Sequence, residues 1–300
     1  MLNKYIFYDN NNIDNTVLLV GTGRSGTTWI EDIINCDNDF RVMFEPFNTN
    51  YVGFLKHWEH RQYIPLGTTD KAMVAPIKKI LSGSTRNKWI DRFNKKLIVK
   101  RRLVKDIRIH ASLKWINVQY PQIPIVYVIR HPCAVAKSKE ALNWFSDLTH
   151  YTSQKQLNRD FLHPFLSFIN EAKTPFQQHI VLWCIENYLI IRQFERGELL
   201  ITFYEDFCTK PNREAEKIFK FLNLRPKNVH LTIDKPSALS AEHSAINLGQ
   251  RDLIGGWQKK ISDEENLFYL KAMKIFSLEK LYNESPAPQV SADVVLDLIE

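Results

Sequence analysis

The sequence predicts an α/β fold: a single domain built on a central parallel sheet flanked by helices. Three observations predict it. The runs Thr16–Val20, Ile123–Ile129 and Leu199–Phe203 are short and continuously apolar, as strands buried on both faces must be. Segments of helical periodicity alternate with them, as the crossovers between parallel strands require. The 300 residues are 44% hydrophobic and 12% aromatic, which is enough for one sizeable core.

The elements follow in order. Thr16–Val20 is a strand stopped at Gly21, and Ser25–Cys36 follows as a helix. Arg41–Phe44 is a second strand, ended by Pro46. Residues 48–96 have no clear period. Leu97–Lys100 and Leu103–Ile107 are strand-like, and Ala111–Tyr120 is helical. After the strand Ile123–Ile129, Pro132–Asn143 is a helix with Pro at its first turn. Residues 144–176 are aromatic and irregular. Gln177–Arg196 is a helix closed by Gly197, and Leu199–Phe203 is a buried strand. Asn212–Leu224 and Asp263–Tyr282 are helices. The domain spans 1–283, and the Pro-rich residues 284–300 read as a loose tail.

Composition narrows the function. The formal charge is +7, from 40 basic and 33 acidic residues, which suits anionic ligands without implying nucleic acid. Basic residues are dense between Lys78 and Lys114, either as a solvated face or as a polyanion site. Four cysteines without CxxC spacing suit a reduced, cytoplasmic protein with small buried thiols. The N-terminus lacks the apolar core of a signal peptide, and no run has the length of a membrane helix. Nine histidines are scattered without ligand spacing, so no metal is predicted.

The chemistry lies in Gly21-Thr-Gly-Arg-Ser-Gly-Thr-Thr-Trp29, between a strand and a helix. Gly21, Gly23 and Gly26 let the backbone approach a ligand. The N–H groups at the helix start and the helix dipole then face it, which makes a P-loop-like anion site. Ser25, Thr27 and Thr28 add hydroxyls, and Arg24 adds a planar cation. A turn merely capped by Ser25 and Thr27 is the structural alternative. A nucleoside-triphosphate loop needs Lys after its last Gly to reach the β- and γ-phosphates, and Thr27 stands there instead.

Arg24-Ser25-Gly26-Thr27-Thr28-Trp29 resembles the 5′-phosphosulfate loop of sulfotransferases that use 3′-phosphoadenosine 5′-phosphosulfate (PAPS). The Arg is typical of that family's carbohydrate, tyrosylprotein and bacterial branches. Arg130-His-Pro, with Ser138 eight residues after the Arg, resembles the family's 3′-phosphate motif, with His131 in place of the usual Asp. Tyr204-Glu205-Asp206 resembles the segment beside the adenine, although a strand-end Tyr is equally a core residue. Gln250-Arg251 through Trp257 resembles the late loop over the 3′-phosphate. The resemblance covers about residues 16–260 in scattered blocks, and only the two phosphate motifs are specific. It implies that Arg24, Ser25, Gly26, Thr27, Thr28, Trp29, Arg130, Ser138, Tyr204 and Arg251 bind the nucleotide, with PAP as product.

For catalysis, the resemblance implies Arg24 and Lys105 as cations near the sulfuryl group. Lys105 is alternatively an exposed strand-end Lys. The cytosolic branch's base is a His at a position where this chain has Ile107, and His110 lies three residues further on. The Arg-loop branch uses a Glu after its second strand, and Glu45 stands there. Burial among Phe44, Pro46 and Phe47 is expected to raise its pKa toward neutrality. A Glu that pairs with a nearby Arg to fix the turn is the alternative. The acceptor expected is a sugar hydroxyl on a glycan or glycolipid, with a small natural product or a tyrosyl peptide as alternatives. Two rival functions remain: a phosphoryl-transferring P-loop kinase, and a non-enzymatic polyanion binder using the basic run.

Overall fold

The computed structural model describes residues 9, 11–94, 98–229 and 253–299. Five parallel strands form one sheet in the order β2-β3-β1-β4-β5. They are β1 (Thr16–Gly21), β2 (Phe40–Phe44), β3 (Arg101–Asp106), β4 (Ile125–Ile129) and β5 (Leu200–Phe203). β1, β2 and β4 are buried at every position, which explains the apolar runs of β1 and β4, while β2 buries Arg41 against Asp9 and Asp91. In the strand-like run at 97–100, Leu97 lies outside the described residues, Ile98 is 71% exposed and Val99 is buried, and the strand itself begins at Arg101.

The longer helices are α1 (Thr27–Ile34), α2 (Lys71–Leu81), α3 (Leu113–Gln119) and α4 (Pro132–Glu140). Residues 144–176 resolve into short pieces, α5 (Thr149–Thr152), α6 (Lys155–Leu157) and α7 (Leu166–Glu171). They are followed by α8 (Pro175–Gln193), α9 (Tyr204–Thr209), α10 (Pro211–Phe221) and α11 (Asp263–Ile275). One core, around Leu18, Tyr127, Trp183 and Phe276, fills one side of the sheet, and a smaller one, around Trp29, Ile33 and Phe207, fills the other.

Three expectations change. The predicted helix Asp263–Tyr282 stops at Ile275, because Ser277 takes a left-handed φ of 58° and breaks it. The segment from Glu284 is no loose tail. Residues Ala292–Asp297 pack on β5 and α8, Val295 is fully buried, and Asp297 pairs with Arg196. Its apolar residues, with Leu296 and Leu298, seal the core. The basic run is not one face. Arg102 is fully buried and paired with Asp9, Lys114 pairs with Glu198, and Lys105 lies at the sheet's carboxyl edge.

Register places the chemistry. Gly21 lies beside Val128, Phe44 beside Lys105, and Ile129 beside Phe203. The turns after β1, β2, β3, β4 and β5 therefore meet at one edge, where ligands of such sheets bind.

Candidate active site

The turn after β1 is shaped by its glycines. A Cβ on Gly21 would lie 2.6 Å from the Val128 carbonyl. Gly26 has φ of +93°, and a Cβ there would strike the Tyr204 ring at 2.4 Å. Left-handed Gly26 delays the helix, so α1 starts at Thr27 rather than at Ser25. Neither Ser25 nor Thr27 caps it, and no side chain does. The first N–H groups of α1 are thus left for something else. Among the described residues the Ser25 hydroxyl is buried without a partner. Thr28 is half-buried on the first turn. Trp29 packs edge-on to Tyr204 and Phe207, each at 5.9 Å, and holds α1 against the turn after β5.

The second motif locks onto the first. Arg24 Nε donates to Ser138 Oγ at 3.0 Å, and an Arg130 guanidinium N–H donates to the Arg24 carbonyl at 3.0 Å. The Arg130 guanidinium lies 4.2 Å from the centre of the Tyr204 ring. Its Nε is buried with no partner among the described residues. Burial and the neighbouring Arg130 charge lower the Arg24 pKa. Two close guanidiniums repel one another, and an anion between them relieves both.

On the other side of the loop, the turn after β2 meets the end of β3. Glu45 has φ of 45°, and its N–H donates to the Lys105 carbonyl at 2.7 Å. Lys105 Nζ donates to Glu45 Oε1 at 3.0 Å, and Arg108 donates to Oε2 at 2.6 Å. Arg108 Nε donates in turn to His60 Nε2 at 3.1 Å. The expected rise in the Glu45 pKa does not occur. Burial pushes it up, but Lys105 and Arg108 outweigh that and hold the carboxyl below its ordinary range. Asp106 receives the N–H groups of Phe47 and Arg108, and burial raises its pKa to about 6.

A sulfotransferase domain family matches residues 14–280. This chain belongs to that family. Among solved structures, this sulfotransferase is similar to the sulfotransferase domain from the curacin biosynthetic pathway, at 15% identity and a TM-score of 0.46 over 85% of this chain and 96% of that one. It is also similar to a sulfotransferase from Alicyclobacillus acidocaldarius, at 12% and 0.44, over 88% and 94%. A mouse sulfotransferase, SULT7A1, complexed with PAP is similar at 16% and 0.42, over 87% and 85%. Each is a likeness only, and the family assignment rests on the domain match. No curated protein matches the sequence. Among the described residues no helix is long and apolar enough to cross a membrane.

The sulfotransferase thus brings Arg24, Ser25, Gly26, Thr27, Thr28, Trp29, Arg130, Ser138 and Tyr204 to one edge of the sheet, with Glu45 and Lys105 beside them. Arg251 lies outside the described residues. His110 is fully buried, with neither ring nitrogen hydrogen-bonded among the described residues and Nδ1 3.7 Å from Glu186. Burial lowers its pKa to about 4. Sequence reasoning missed Arg108, His60 and the Arg61–Glu186 pair. Only Arg108 had a local signal, as a second cation just past a strand whose Lys had been singled out.

Proposed function

We propose that this sulfotransferase moves a sulfuryl group from PAPS to an acceptor hydroxyl, on a carbohydrate or glycolipid. The observation that carries the donor assignment is the interlock of Arg24 with Ser138 and of Arg130 with the Arg24 carbonyl. It joins two anion-seeking motifs more than a hundred residues apart, as a ligand with phosphates at both its 5′ and 3′ positions requires. The unpartnered Ser25 hydroxyl and Arg130 Nε, with the uncapped start of α1, fit such a ligand.

When bound, PAPS supplies the activated sulfuryl group, and PAP is the product. The uncapped N–H groups of α1, with Ser25, Thr27 and Thr28, hold the 5′ end. Arg130 and Ser138 hold the 3′-phosphate, and the Tyr204 ring flanks the base. Arg24 and Lys105 place positive charge where negative charge grows, an interaction that acts mainly in the transition state. Glu45 accepts the acceptor's proton. Each of its carboxylate oxygens takes one cation, and a free lone pair remains for the hydroxyl. The loop Arg and the Glu45 position support a sugar hydroxyl as acceptor. The missing loop Lys disfavours a phosphoryl-transferring kinase.

The test is transfer of ³⁵S from labelled PAPS across a panel of glycans, glycolipids, small phenols and tyrosyl peptides. Transfer to a sugar is expected, and transfer only to phenols or peptides would overturn the acceptor. Arg24→Ala should lose on the order of 10²–10³ in turnover. Normal turnover in that variant would make the loop purely structural.

A further inference from the structure

His131 departs from the Asp usual in the 3′-phosphate motif, and the structure gives the ring several partners. It sits in the turn between β4 and α4, one residue after Arg130, and is fully buried. Nδ1 accepts the Cys133 N–H at 3.2 Å and so caps α4. Nε2 lies 3.1 Å from the Asn283 carbonyl, which can only accept. One nitrogen accepts and the other donates, so the ring is neutral. Burial, with the Arg130 charge adding to it, drops its pKa to about 3.

Its faces and edges are used as well. Trp257 stacks on it at 4.1 Å and 21°, and Tyr282 meets it edge-on at 4.9 Å. The His131 backbone N–H donates to Glu205 Oε1 at 2.9 Å, and Tyr282 donates to Glu205 Oε2 at 2.9 Å. Tyr269 donates to the same Asn283 carbonyl at 2.9 Å. One residue therefore ties the Arg130 turn to Trp257, to the chain at 282–283 and, through Glu205, to the Tyr204 turn. An Asp could cap α4, but it has no ring for Trp257 and is too short to reach the Asn283 carbonyl that Nε2 meets.

We propose that His131 is a positioning residue for recognition of the 3′-phosphate, holding Arg130 and Ser138 in place through Trp257 and the 282–283 segment. The proposal rests on the nucleotide reading above. The Arg130 side chain has few anchors of its own: one guanidinium N–H on the Arg24 carbonyl and the Tyr204 ring beneath it. Its backbone is fixed by Trp183, which donates to the Arg130 carbonyl at 2.9 Å, and by the His131 contacts. Loosening that turn makes the guanidinium lose freedom on binding, which weakens the 3′-phosphate contact selectively.

The test is His131→Asn, which keeps a cap for α4 but loses the ring and its reach to Asn283. Calorimetry compares PAP with 5′-AMP, and thermal unfolding is followed in parallel. The expected result is a loss on the order of tenfold in PAP affinity with 5′-AMP affinity unchanged. His131→Gln, which restores a donor near the Nε2 position, should recover part of the loss. A lowered melting temperature with the PAP to 5′-AMP ratio preserved would overturn the proposal and leave the nucleotide reading standing. A wild-type ratio near one would overturn both. Should His131→Asn not fold, Trp257→Phe gives the same decision: a smaller compression of the ratio is expected, and an unchanged ratio overturns the proposal.

Discussion

Arg24, Glu45 and Arg61 hold left-handed backbone angles, with φ of 77°, 45° and 64°. Among the described residues the other non-glycine cases are Ser277 and four Asn, which tolerate this region well. Each strained residue costs about 1–2 kcal/mol. All three belong to the site or its border: Arg61 donates to the Ile107 carbonyl at 3.3 Å, two residues past Lys105. Glu45→Gln should keep PAP affinity and lose on the order of 10²-fold or more in turnover, because an amide takes no proton. His110→Ala should keep both. Normal turnover in Glu45→Gln together with a dead His110→Ala would reassign the base. Because Glu45 stays ionised below the ordinary carboxyl range, it imposes no loss of rate between pH 8 and 5.5. The loop residues were legible because a phosphate loop is contiguous. The Glu45 partners were not, since Lys105 lies 60 residues away and ion pairs at that separation leave no local pattern.

At the scale of elements, the turn from β5 into α9 carries a buried acid. Glu205 accepts hydrogen bonds from His131 and Tyr282, yet burial raises its pKa from 4.5 to about 7. Across that window the folded protein holds a proton that the unfolded chain releases, so stability falls as pH rises from 4.5 toward 7. Glu205→Gln accepts the His131 backbone N–H with its carbonyl oxygen, donates its amide to the Tyr282 oxygen, and removes the titration. Urea unfolding at pH 5.5 and pH 8 should show the wild type losing about 2 kcal/mol relative to the variant. Parallel behaviour would contradict the raised pKa. Other titrating groups, Asp106 among them, are common to both proteins and cancel. Strands and long helices were legible because parallel strands are apolar on both faces. Boundaries set by left-handed residues were less so: Gly26 reads equally as helix or turn, and Ser277 carries no glycine to mark the end of α11.

At the scale of the whole molecule, the last residues close the core. Removing 290–300 strips Val295 and its neighbours from β5 and α8. Full burial of one such side chain contributes about 1.5–3 kcal/mol. A clear fall in melting temperature is expected, and an unchanged one would restore the loose tail. That segment misled because Pro and Ser at 285–291 hide the apolar residues beyond them. The central claim is that two separated motifs form one site for a nucleotide phosphorylated at both ends. Calorimetry with PAP and with 5′-AMP, which lacks the 3′-phosphate, tests it most directly. Charge-assisted bonds from Arg130 and Ser138, at about 1.5–3 kcal/mol each, predict that PAP binds at least on the order of 10²-fold tighter. Equal affinity for the two nucleotides would contradict it.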